Sequence, residues 1–445
     1  MLALKIILTV LLILIFSAML VIMVIFERDK PRNIILWAFV LLLLPIIGEV
    51  AYIIHRSIYY KKRKTLLVKQ KEDKIYSNLI SNELWQNDSN GGELFDFNKM
   101  AFNANLTTNN YYEMINSYAK FKESLIKDIQ NANSYILFEF VNINFLDFQT
   151  VFNALKNRAQ AGVNVRFVYQ KHIKKSNLKI LKSYGIKVNR FSKHNTMGSV
   201  YSNLRNSIVI DGKIAYSGNF NIRKQDLNPK YDVLNTYIKF KGEIVQEIDI
   251  KLHEDVVFAS GKFLDYNAPS KEKYLQPSKI QFVSNEVETN IELLLIKAIC
   301  MAKSSIWLQL NTFIPTESIM SLIRFAINSK IEVKLILPIN ADKHSKYYAS
   351  RAYAKELALF GADVYLFDGF IRFNAITIDS NFVLYGSFIL DREHIGTSQQ
   401  SVFVIEDSKA VNYFKKTFDL SIDNSYKIAN AKMLLVKERF AKNFV

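Results

Sequence analysis

The chain has 445 residues, half of them hydrophobic, with 58 Lys+Arg against 41 Asp+Glu and a formal net charge of +17. That apolar content excludes a largely disordered chain, and seven Pro and 14 Gly exclude fibrous or low-complexity architectures. A single cysteine, Cys300, excludes an intramolecular disulfide framework and a multi-cysteine zinc site.

Residues 6–26 form a run without a charge, and residues 34–54 form a second with one acid, Glu49. Each is long enough to cross a bilayer core of about 30 Å as a helix. The polar stretch from Glu27 to Asn33, with Pro31 inside it, joins them. The pattern predicts a transmembrane hairpin over residues 1–55. A cleaved signal peptide is the rival, but the first residues carry only Lys5 and no small-x-small site follows.

Arg56, Lys61, Lys62, Arg63 and Lys64 follow the second run, with no acid until Glu72. Basic residues beside a span stay on the cytoplasmic side. The long C-terminal part is therefore expected in the cytoplasm and the protein in the cell membrane, as a multi-pass chain. Residues 56–100 read as a basic juxtamembrane linker, with a loop at 86–92. Residues 1–55 carry Lys5, Arg28, Lys30 and Arg32 against Glu27, Asp29 and Glu49, which leaves +16 on the remaining 390 residues. Such a body suits an anionic partner, lipid head groups ahead of nucleic acid.

The rest of the chain is a duplication. Ile210, Asp211, Gly218 and Phe220 recur as Ile378, Asp379, Gly386 and Phe388, each 168 residues on. Upstream, the run from Ser134 to Phe140 parallels that from Ser304 to Leu310, and Val163 to Val168 parallels Ile331 to Ile336. Short apolar strands alternate with helical stretches such as 152–161 and 317–329. That alternation predicts an α/β fold with a parallel or mixed sheet in each half. The halves are read as 101–265 and 278–445, split at a polar, proline-bearing stretch near Tyr266.

The strand–Asp–Gly–strand–Gly–x–Phe–Asn pattern, complete at 208–221 and echoed at 376–390 behind two apolar runs, resembles bacterial cardiolipin synthases of the phospholipase D superfamily. The stretch from Trp37 to Gly48, Phe313-Ile314-Pro315 and the run from Tyr365 to Phe370 also resemble family segments. The resemblance implies two phospholipase D-like halves meeting face to face, with no metal and no cofactor. In that family each half supplies His-x-Lys-x-x-x-x-Asp. One His attacks a lipid phosphodiester and the other handles the proton of the leaving and incoming alcohols. The lysines stabilise the charge on phosphate.

This sequence departs from the family pattern where the chemistry would sit. Counting back from Asp211, the His and Lys positions hold Leu204 and Asn206; counting back from Asp379, they hold Arg372 and Asn374. Leu and Asn are not phosphoryl nucleophiles, and a guanidinium stays protonated. The residues argue against phosphatidyl transfer, while the fold argues for it. Arg372, Asn206, Asn374 and Asn221 are candidates for holding a lipid phosphate; Asp211 and Asp379 read as turn residues.

The other His-x-Lys pairs, His172/Lys174 and His344/Lys346, have Lys179 and Arg351 five residues on and read as exposed loop or helix. His194 lies ten residues before Leu204 and is a conceivable substitute base. The basic, apolar stretch 425–445 suits either a membrane-surface helix or a terminal helix docked on the second half. Three functions follow: a silent synthase relative that binds lipid or regulates an active cardiolipin synthase paralogue, a working synthase with non-standard residues, and a nucleic-acid-binding member of the superfamily, which the apolar N-terminus disfavours.

Overall fold

The computed structural model describes residues 7, 16–24, 31–44, 46–57, 91–170, 173–191, 202–220, 228, 230–261, 274, 278–284, 290–340, 344–391, 398–428, 438 and 441–442. The chain divides into two compact units, 1–68 with 194–200, and 69–193 with 201–445.

In the first unit, residues 16–24, Pro31–Leu43 and 46–57 are helical. Met23, Leu41 and Tyr52 are buried together, and the Trp37 ring meets Tyr52 edge-on at 5.3 Å. In the second apolar run the regular helix Pro31–Leu43 stops two residues before Pro45. Proline supplies no N–H and crowds the carbonyl four residues back. Among the described residues, no helix is long and apolar enough to cross a membrane. Most of the first run, 6–26, lies outside the described residues.

The second unit holds both halves. The first half is a seven-stranded sheet in the order Asn110–Ile115, Tyr237–Gly242, Ile214–Ser217, Ser207–Ile210, Tyr135–Phe140, Asn164–Tyr169, Lys187–Arg190. The second half repeats that order as Lys279–Ser284, Ser401–Glu406, Phe382–Gly386, Asn374–Ile378, Ser305–Gln309, Glu332–Pro338, Asp363–Phe367. Two further strands, Leu106–Thr107 and Ser425–Lys427, extend the second sheet at its two ends to nine strands.

Alternation along each central strand sorts its side chains between two layers. Ile136, Phe138 and Phe140 join Phe121, Leu125, Phe152 and Leu155 in an apolar core under helices Tyr118–Gln130 and Gln149–Gln160. Burying each such side chain contributes about 1.5–3 kcal/mol. Tyr135 and Glu139 face the other way, toward helix Glu243–Ser260. In the second half, Ile306 and Leu308 join the outer core with Ile319, Ile323 and Leu357. Trp307 and Gln309 face helix Ser408–Ile422, through the Phe418 ring and the Phe414 carbonyl.

The structure moves one boundary. Helix Glu93–Phe102 lies in what reads as linker, yet its Leu94 and Phe95 sit in the second-half core, and Leu106 pairs with Gln281. The chain thus crosses the second half before building the first.

The C-terminal end is docked. Glu438 is fully buried, with its carboxylate 2.7 Å from Lys355 and 3.6 Å from Arg351 on helix His344–Phe360, and Lys442 pairs with Glu356.

Candidate functional site

The two motif segments run beside each other through exchanged strands. Ser202–Asn203 pairs with Ser398–Gln399 of the opposite half, and Gly369–Ile371 pairs with Asp232–Leu234, both in parallel. The next residue after each pair continues the contact: the Leu204 amide donates to the Gln399 carbonyl and the Arg372 amide to the Leu234 carbonyl, each at 2.8 Å. The duplication therefore carries a pseudo-twofold axis between the halves, and the two positions where the family pattern has His lie on either side of it. The Tyr385 hydroxyl crosses the same boundary to donate to the Thr236 carbonyl at 2.6 Å.

Asp211 and Asp379 occupy identical turns. Their φ angles are 54° and 55°, left-handed values that Asp tolerates better than most residues. The Asp211 carboxylate accepts from the amides of Asn133, Ser134 and Tyr135, at 2.7–2.9 Å. The Asp379 carboxylate accepts from Lys303, Ser304 and Ser305, the last two at 2.7 and 2.9 Å. Each aspartate thus ties its turn to the first residues of its central strand. Burial raises the Asp379 carboxyl's pKa, but the Ser305, Ser304 and Lys303 amides outweigh it, so the net value falls below the usual carboxylate range.

The asparagines at the lysine positions also match each other. Asn206 Oδ1 accepts from the Val141 amide at 3.1 Å, and Asn374 Oδ1 accepts from the Asn311 amide at 2.9 Å. Val141 and Asn311 each follow a central strand. Asn374 Nδ2 donates to the Phe388 carbonyl, and Asn206 Nδ2 to the Leu204 carbonyl at 3.3 Å. Both amides thereby brace the segments that carry the motif positions. Gly218 and Gly386 lie on the adjacent strand edge, where another chain segment approaches closely. A Cβ on Gly386 would lie 2.1 Å from the Ser401 carbonyl oxygen, and one on Gly218 would lie 3.2 Å from Tyr237 Cα.

Leu204 is half-buried, while Arg372 is only 7% exposed. The Arg372 guanidinium stacks on the Phe370 ring at 4.6 Å, and Tyr231 of the other half meets that ring edge-on at 5.5 Å. One cation, Arg372, with Leu204, Asn206 and Asn374 at the other three positions, is a group that can bind an anion.

The structure adds a group that reading the motif positions missed. Arg205, between Leu204 and Asn206, points to the opposite side and is 1% exposed. It pairs with Asp255, lies 3.7 Å from Glu139, and donates to Gln399 Oε1 at 2.8 Å and Ser284 Oγ at 3.3 Å, both from the second half. Asn203 bonds Glu139 and Asp255 as well. The sequence signal was the alternation: side chains flanking a pocket-facing residue point inward. The second half has Phe373 there instead, packed on Phe414 at 5.8 Å.

Asn221, His172, His194 and His394 lie outside the described residues. Lys174 and Lys179 are exposed, as expected of that pair. Lys346 differs: it is on a helix but largely covered, because its ammonium pairs with the fully buried Asp391. Among the described residues, no group of three His, Cys, Asp or Glu is placed to hold a metal ion.

Residues 295–421 match the family model described as "Cardiolipin synthase, PLD-like domain". The chain is 24% identical over 426 residues to the Bacillus subtilis protein named probable cardiolipin synthase YwiE, covering 91% of this chain and 85% of that one. It is 26% identical over 432 residues to a cardiolipin synthase of Oceanobacillus iheyensis, covering 90% and 89%. Among solved structures, the phosphatidylserine synthase of Haemophilus influenzae superposes with a TM-score of 0.57 at 11% identity, over 75% of this chain and 92% of that one. Over nine-tenths of its length the chain is thus similar to bacterial cardiolipin synthases, and residues 295–421 match the PLD-like domain of that family.

Proposed function

We propose that this chain is a membrane-anchored, catalytically silent relative of cardiolipin synthases, which holds an anionic phospholipid or regulates an active synthase paralogue. One observation carries the reading: all four His and Lys positions are changed. Leu204 has no proton to exchange, and Arg372 keeps its own. Asn206 and Asn374 spend their side-chain oxygens on the Val141 and Asn311 amides. A two-histidine transfer needs a nucleophile and an acid on either side of one phosphate. What is left suits capture of a phosphodiester anion by Arg372, with Asn206, Asn374 and Asn221 as further candidates.

The membrane anchor rests on the two N-terminal apolar runs and on the outward side chains of the first unit. Ile35, Leu36, Phe39, Leu42, Ile46 and Ile47 are all more than half exposed. A hairpin of two spans would bury that surface in lipid, and the basic residues from Arg56 to Lys64 would keep both termini and the soluble body in the cytoplasm.

The test uses full-length protein in detergent with phosphatidylglycerol. Cardiolipin formation equal to a no-protein control is expected, together with binding of a fluorescent phosphatidylglycerol that Arg372→Ala weakens. Turnover by the unaltered chain, purified from cells lacking other synthases, would instead favour the second reading, a working synthase. The alignments with cardiolipin synthases at 24–26% identity are what keep that reading in play. Its first variant to test is His194→Ala.

A further inference from the structure

The positive charge of the soluble body is concentrated on one part of the first half. Residues 148–210 contain twelve Lys and Arg and no Asp or Glu, whereas the matching residues 316–378 of the second half contain eight against six. The two segments build the same strands and helices, so the fold does not require the imbalance.

The structure places much of that charge on one outer edge. Helix Lys175–Ser183 presents Lys175, Lys179 and Lys182 at the i, i+4, i+7 spacing of a single face, and all three are exposed. Lys174, just before the helix, and Lys187, on the edge strand Lys187–Arg190, are exposed too. None of these five forms an ion pair among the described residues. Ile180 stands beside the lysines, 46% exposed, while Leu181 beneath is fully buried in the core.

We propose that this face, Lys174, Lys175, Lys179, Lys182 and Lys187 around Ile180, rests on an anionic bilayer surface. Lysines raise the local concentration of acidic head groups, and an aliphatic side chain among them enters the head-group boundary. Nucleic-acid surfaces instead interleave cations with open aromatic rings. Here the nearby aromatic, Tyr184, is half-buried under the Lys156 ammonium at 5.0 Å. The inference rests on the membrane-anchored reading but not on Arg372, since none of its residues lies at a motif position.

The test uses the full chain with its one cysteine removed, Cys300→Ala, and Ile180→Cys labelled with an environment-sensitive fluorophore. Reconstituted into phosphatidylglycerol-rich vesicles, the probe is expected to shift to the blue and to be quenched by bilayer-embedded quenchers. In phosphatidylcholine vesicles, or at high salt, both effects should vanish. Changing Lys174, Lys175, Lys179 and Lys182 to Gln should abolish them while circular dichroism stays unchanged. Equal emission in both lipids would overturn the proposal, as would a shift produced by single-stranded DNA and not by phosphatidylglycerol. Arg372→Ala should leave the probe signal intact, so failure of lipid capture by Arg372 is read separately.

Discussion

Leu204 and Arg372 are held by equivalent backbone bonds, to Gln399 and Leu234 of the opposite half, each at 2.8 Å. These bonds involve no side chain. The contact between the halves at these positions therefore does not depend on which side chain stands there.

The first prediction follows from that. The double variant Leu204→His, Arg372→His should unfold in urea at the same midpoint as the parent, within experimental scatter. Adding Asn206→Lys and Asn374→Lys removes the acceptors of the Val141 and Asn311 amides. Each loss should cost about 1–3 kcal/mol. Asn374 should cost more, since it is 4% exposed and also donates to the Phe388 carbonyl. Equal stability of the double and quadruple variants would show that the amides are not braces.

A second prediction concerns acid. The folded Asp379 carboxyl titrates below its ordinary 3.8, because backbone amides outweigh burial. Its stabilisation is therefore complete above 3.8 and disappears as pH falls through the lower folded value. Asp379→Asn should flatten the decline of melting temperature in that window. Asp379→Ala should destabilise at neutral pH by about 2–4 kcal/mol, from lost acceptors and a left-handed backbone that Ala resists.

A third prediction concerns Arg205. Arg205→Met leaves Asp255 and Glu139 buried beside an apolar side chain and should cost about 3–5 kcal/mol. The triple change Arg205→Met, Asp255→Leu, Glu139→Gln should recover most of it. The second half already runs on Phe373, Phe414 and Gln309 in that layer. Chemical denaturation of all three proteins decides the point.

The fourth concerns alkali. Burial lowers the His253 pKa, but Asp249 outweighs it with its charge and a 3.1 Å contact, so the net value rises above 6.5. The associated stability is present below 6.5 and lost as pH rises through the folded value. Helices Glu243–Ser260 and Ser408–Ile422 aligned from their first residues put Phe418 opposite His253. His253→Phe should therefore fold and should lose this decline in melting temperature above 6.5.

The sequence by itself determined the duplication, the α/β alternation and the positions of the two aspartate turns. These are local signals: apolar period, Asp before a turn, Gly where a neighbouring strand approaches. It also named Leu204, Asn206, Arg372 and Asn374 as the positions to examine, since a fixed spacing from Asp211 and Asp379 needs no coordinates. Only the tertiary structure decided what those positions touch. The exchange of Ser202–Asn203 and Gly369–Ile371 between halves joins residues about 140–200 apart, and no periodicity encodes such a partner. The same holds for Arg205, which reads as one more cation until the fold sets it against Asp255 and Gln399. Helix Glu93–Phe102 reads as linker because a ten-residue helix is marginal by itself, and only the waiting face of the second half gives Leu94 and Phe95 a place to be buried.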